Sequence, residues 1–123
     1  MEELSYRVRL AALWVMNMIA FFAYRTIAIS EGATEVSVLS NMELATILVL
    51  LMVFAFLTLL LGRKNNRPMN IIAGTVFGIG ELALFIDGIT GYPSAPFNVM
   101  TGAAVVLMVS VVWLARKWPK RQS

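Results

Sequence analysis

One carboxylate in this chain lies where carboxylates are costly. Glu81 falls inside an apolar run, Ile71 to Ile86, which with its flanks is long enough to be a membrane-spanning helix. It sits about two turns, or ~10 Å, from the predicted outer end of that helix. A charged side chain there costs ~2.5–3.5 kcal/mol on insertion scales unless it is paired, neutral or hydrated. Ionisable groups inside a membrane segment are functional suspects by default, as proton carriers, ion ligands or counter-charges. Arg25, near the outer end of the first apolar run, is the one basic residue on that side. A structural Glu81–Arg25 ion pair is therefore one expectation. A Glu81 that binds a proton or a ligand is the other.

The same run carries a sharper pattern. Asn70, Gly74, Gly78 and Glu81 are spaced by four, four and three, so they share one helix face. Gly74 and Gly78 form a G-x-x-x-G pair that lets another helix approach closely. That face reads either as a packing seam, with Asn70, Gly74 and Gly78 at its centre, or as the wall of a cavity. Tyr24, Glu43, Thr46, Asp87, Tyr92, Asn98 and Thr101 fall at the depth of Glu81 or nearer the outer side. The outer half is thus expected to be more polar than the inner. The binding candidates for a proton or ligand are Glu81, Arg25, Asn17, Tyr24 and Asn98. On the inner side only Asn17, Thr58, Thr75 and Ser110 interrupt the apolar runs, and none is ionisable. No charged path through one protomer is expected.

Much chemistry is excluded outright. The chain has neither cysteine nor histidine, so thiol redox chemistry, histidine-held haem, the usual zinc sites and a Ser-His-Asp triad are ruled out. The methionines are scattered without an M-x-x-M pair, and they read as core filler, not copper ligands. Gly74, Gly78 and Gly80 lie inside an apolar run, not between a strand and a helix, so a nucleotide loop is not read from them. No catalytic set, metal site or cofactor is expected, and binding is favoured over catalysis.

The elements that must position these residues are four apolar runs, Leu10 to Tyr24, Leu44 to Leu61, Ile71 to Ile86 and Phe97 to Ala115. With 59% hydrophobic residues and a mean hydropathy of +0.79, a soluble domain of this size could not hide its apolar surface. The spacing predicts a single integral-membrane domain with spans at about 7–28, 41–62, 68–88 and 96–117. Ser40 with Glu43 fits a capping box at the start of the second span. Gly62 is expected to end that span, and the polar run Arg63 to Arg67 to form a loop. Pro68 is then placed in the first turn of the third span. Gly88, Gly91 and Pro93 are read as breakers, Ser94 with Pro96 as the start of the fourth helix, and Pro119 as its stop. Val36 to Leu39 is a candidate interfacial stretch. Trp14, Tyr24, Tyr92, Trp113 and Trp118 read mostly as interfacial belt residues.

Every basic residue except Arg25 falls before the first apolar run, between the second and third, or after the fourth. The positive-inside rule then puts both termini in the cytoplasm, in a multi-pass inner-membrane protein. The fold class expected is an all-α membrane protein, an antiparallel four-transmembrane-helix bundle with the third helix central. Arg7 and Arg9 ahead of an apolar run also resemble a signal peptide. Trp14, Asn17 and the missing small-x-small ending favour a retained span. The basic tail is read as an anchor beside anionic lipid, not a nucleic-acid patch.

Two strings carry a resemblance. Asn66-Arg67-Pro68-Met69-Asn70-Ile71-Ile72-Ala73-Gly74 follows a short basic loop, and Leu13-Trp14 opens a first span that ends Phe21-Phe22-Ala23-Tyr24. Together they resemble small bacterial and archaeal four-helix membrane proteins of unknown function, related to the DoxX-like superfamily. The resemblance implies the same bundle. Its members carry acidic residues in the first two spans, where this chain has Arg25 and an apolar stretch around Val53.

The function expected is that of a small integral-membrane binding or accessory protein, holding a lipid-like or small organic ligand or a partner helix. The alternative is a homo-oligomeric proton-coupled or cation transporter that uses Glu81. Membrane lipids are the partners, with a second copy or a partner membrane subunit as further candidates.

Overall fold

The computed structural model describes residues 2–30, 41–91 and 95–118. They form four helices: α1 (Glu2–Ser30), α2 (Asn41–Leu60), α3 (Arg63–Gly91) and α4 (Ala95–Lys117). No strand occurs among the described residues. All four helices are long and apolar enough to cross a membrane. The Ser40 half of the capping box, Val36 to Leu39, Tyr92, Pro93, Ser94 and Pro119 lie outside the described residues.

Periodicity decides how the helices pack. On α1, Leu10, Trp14, Asn17, Phe21, Tyr24 and Ala28 are buried, stepping by four, three, four, three and four. On α4, Phe97, Thr101, Ala104, Met108, Val111 and Ala115 repeat the same steps. Each set is one continuous stripe of a 3.6-residue helix. These two stripes meet, so α4 packs along α1 and α3, and α1 packs along α2. The middle of the bundle is therefore the α1–α4 pair, not the third helix. Only sparse contact joins α2 to α3. The outward faces carry large apolar side chains such as Ile19, Phe56, Ile72, Ile79 and Val106.

One end of the bundle gathers the basic residues. Tyr6 stacks on Trp118 with centroids 5.5 Å apart, and its hydroxyl donates to the Lys117 carbonyl at 3.3 Å. Arg7 donates to the Leu59 carbonyl at 3.4 Å, Arg63 to that of Trp118 at 3.2 Å, and Arg67 to that of Arg116 at 3.4 Å. Carbonyls at a helix C-terminus lack intrahelical donors. These arginines thus close the ends of α2 and α4, a task that charge counting does not reveal.

The α2–α3 link is tighter than expected. The Gly62 carbonyl accepts from the Asn65 and Asn66 amides at 3.2 and 2.9 Å, which opens α3 at once. The Asn66 side chain donates to the carbonyls of Thr58 at 2.7 Å and Leu61 at 3.0 Å, which caps α2. Arg63 to Arg67 are accordingly helical, not a loop, and Pro68 lies inside α3. The hydrogen bond that Pro68 forgoes sits near the helix start, where its side chain is exposed. At the opposite end α3 continues through Gly88 to Gly91.

Burial also reassigns the aromatic residues. Trp14, Trp118 and Tyr24 are core residues. Trp113, 58% exposed, is the tryptophan that faces outward.

Candidate functional site

The buried stripe of α1 places two polar side chains against α3. Asn17 and Tyr24 are two turns apart on that stripe, and Glu81 of α3 faces them. Their exposures are 0%, 3% and 1%, so the group is sealed inside the bundle. Asn17 lies beside the Glu81 carboxylate, but outside hydrogen-bonding geometry. The Tyr24 hydroxyl is within electrostatic reach of the same carboxylate. Neither oxygen of Glu81, neither polar atom of the Asn17 amide, nor the Tyr24 hydroxyl has a hydrogen-bond partner in the protein. Most buried polar groups in native structures are paired, so such a concentration calls for an explanation.

Aromatic rings hold this group in place. Phe21 lies 5.2 Å from Tyr24 and 6.5 Å from Phe77, centroid to centroid. Phe97 of α4 meets Tyr24 edge-on at 5.7 Å. The polar atoms are thus surrounded by stiff apolar surface, which leaves little room to swing toward water.

Arg25 and Asn98 are the other two candidates. Neither Glu81 oxygen accepts a hydrogen bond from Arg25. Arg25 is half-buried further along α1, toward the end opposite the basic cluster. Asn98 is half-buried on α4 with an unpartnered Oδ1. It stands against Gly88, about two turns of α3 beyond Glu81.

A second polar cluster lies nearer the basic end. The Trp14 indole N–H donates to Asn70 Oδ1 at 2.6 Å. Asn70 Nδ2 donates to the Asn66 carbonyl at 3.0 Å, to Asn66 Oδ1, and to Thr58 Oγ1 at 3.3 Å. Three helices meet at this one side chain. The inner half is therefore as polar in its core as the outer half, contrary to the expectation above. Asn66 and Asn70 are four apart on one face, a signal visible in the chain, but nothing local pairs them with Trp14 and Thr58.

Gly74 and Gly78 lie against α4. A Cβ on Gly74 would stand 2.9 Å from Val112 Cγ2 and 3.1 Å from Val111 Cγ1, with the Met108 carbonyl at 3.6 Å. A Cβ on Gly78 would meet Met108 Cβ at 3.4 Å.

The outer group can accept and donate hydrogen bonds, and its carboxyl can take a proton or face a cation. It contains no nucleophile paired with a base, the arrangement that covalent catalysis uses. Among the described residues no three His, Cys, Asp or Glu side chains gather to hold a metal. Comparison with known proteins adds no relative, since no family model, curated protein or solved structure matches the chain, and the likeness to DoxX-like proteins gains no support.

Proposed function

We propose that this chain is a multi-pass inner-membrane protein, an antiparallel bundle with both termini cytoplasmic, which binds a small ligand inside the bundle. The membrane reading rests on four helices of spanning length and on the large apolar side chains they turn outward. The antiparallel reading rests on the basic end, where the start of α1 meets the ends of α2 and α4. The orientation rests on the charge of that end. Single cysteines at Asn65 and Thr90, two exposed positions at opposite ends of α3, check it in intact cells. A membrane-impermeant maleimide is expected to label Thr90→Cys only. Labelling of Asn65→Cys from outside would overturn the orientation.

The binding reading rests on a single observation, the convergence of Asn17, Tyr24 and Glu81 with no protein partner for their polar atoms. An unpaired buried carboxylate is expensive, and a bound proton, cation or hydrogen-bonding guest removes that cost. The guest this chemistry calls for donates hydrogen bonds or carries positive charge. Native mass spectrometry of the purified protein tests this. The wild type is expected to retain a bound species that Glu81→Gln loses. The variant should keep its thermal stability or gain some, because an amide replaces an unpaired acid. Bare wild-type protein, together with a strongly destabilised variant, would overturn the reading.

A second reading has its own support. The two polar clusters occupy successive levels of the core, since Trp14 and Asn17 are neighbouring buried positions on α1. A proton- or cation-coupled transporter, assembled from several copies, would use Glu81 as its loading group. Proteoliposome flux separates the two. Transport requires pH-dependent flux that Glu81→Gln abolishes while the variant stays folded, whereas a binding protein shows no flux.

A further inference from the structure

The face between α3 and α4 carries an open groove of about 370 Å³, at the lower end of the usual range for ligand sites. Thr75, Ile79 and Leu82 line it on one side and Val105, Val109 and Val112 on the other, with Gly74 and Gly78 at its floor. At its mouth stand Trp113 and Arg116. From Arg116 to Val105 the groove follows about three turns of α4, a rise of about 16 Å at 1.5 Å per residue. That is about half of a ~30 Å hydrocarbon core, the depth of one leaflet.

Charge at the mouth marks this groove out. Arg67 reaches the Arg116 carbonyl at 3.4 Å, so its guanidinium is at the same level, and its buried Nε has no hydrogen-bond partner. The Lys117 ammonium rides over the Trp113 ring, 4.4 Å from the centroid. Arg116 thus lines the groove, and Arg67 and Lys117 each contact one of the two residues at that end. Three larger grooves, of about 520 Å³ between α1 and α2, 540 Å³ between α1 and α4 and 390 Å³ between α2 and α3, have no charged residue in their lining.

We propose that the α3–α4 groove is a binding site for an anionic phospholipid. One acyl chain lies along Ile79, Leu82, Val105 and Val109, and the phosphate sits among Arg116, Arg67 and Lys117. Guanidinium forks suit phosphate oxygens, and each basic group near the surface adds to the attraction for anionic lipid. The length and the charge point to lipid over a second copy of this chain. A two-fold contact between parallel protomers through this face would set Arg116 and Lys117 against their own copies, which is repulsive. This site is separate from the Glu81 group and rests only on the reading that the helices cross a membrane.

Trp113 supplies the measurement, because Trp14 and Trp118 are buried. The full-length protein is reconstituted in phosphatidylcholine vesicles containing increasing brominated phosphatidylglycerol, and separately with brominated phosphatidylcholine. Phosphatidylglycerol is expected to reach half-maximal quenching at a several-fold lower mole fraction than brominated phosphatidylcholine. Arg116→Gln should shrink that preference about fivefold, the worth of one basic residue at the surface. Arg9→Gln, an exposed change at the same end but outside the groove, should leave the preference unchanged. Equal quenching by both lipids, or equal losses in the two variants, would overturn the site while leaving insertion intact. No quenching by either lipid would overturn insertion and the site together. Efficient disulfide cross-linking of Val109→Cys protomers in the same vesicles would assign the groove to a second copy instead.

Discussion

Asn70→Ala is expected to destabilise the protein by about 3 kcal/mol, because it strips three helices of their shared partner. Asn70 accepts the Trp14 indole N–H at 2.6 Å, donates to the Asn66 carbonyl at 3.0 Å and reaches Thr58 Oγ1 at 3.3 Å. Alanine removes all of these bonds and leaves the indole N–H without an acceptor in the core. A single interhelical hydrogen bond in a membrane protein averages only ~0.6 kcal/mol, so the lost bonds alone would come to less. The stranded donor and acceptors supply the rest, at ~1–3 kcal/mol for each group left unpaired and unrelaxed. Thr58→Val provides the scale. It forfeits the hydroxyl contacts to Asn70 but leaves the Trp14–Asn70 bond intact, so its cost should stay below about 1 kcal/mol. Denaturant titration of both variants in the same detergent measures the difference. If the two are equally stable, Asn70 is not the side chain that ties α1, α2 and α3 together.

Two glycines of α3 should respond to alanine with opposite signs. Gly74→Ala is expected to cost about 2 kcal/mol, as overpacking of a filled interface does. Its Cβ would stand 2.9 Å from Val112 and 3.1 Å from Val111, and β-branched side chains on a helix have one preferred rotamer and cannot swing aside. Moving α4 instead would disturb its stripe against α1. Gly80→Ala meets nothing within 4 Å. It should raise stability by ~0.5–1 kcal/mol, because alanine loses less backbone freedom in a helix. Thermal unfolding of both variants decides the matter. A Gly74→Ala protein as stable as the wild type would mean that α3 and α4 do not approach as closely as these distances indicate.

The four helices and their apolar character were legible in the chain, because hydropathy and length act locally along a segment. The faces were legible too. The steps of four and three that put Asn70, Gly74, Gly78 and Glu81 on one side of a helix need no knowledge of its neighbours. Element ends were less so. Pro68 and the basic run ahead of it suggested a loop, yet Gly62 and the Asn66 side chain satisfy the free backbone groups there, and α3 begins at Arg63. Partnership was out of reach. Arg25 and Asn17 both lie on α1, and attraction between opposite charges favoured Arg25 as the neighbour of Glu81. The packing of α1 against α4 turns the Asn17 stripe inward and leaves Arg25 half-buried to one side. Trp14 and Asn70, 56 positions apart, meet for the same reason. A repeating pattern determines which side of its own helix a residue occupies. Only the way four helices share their buried stripes decides what stands across from it.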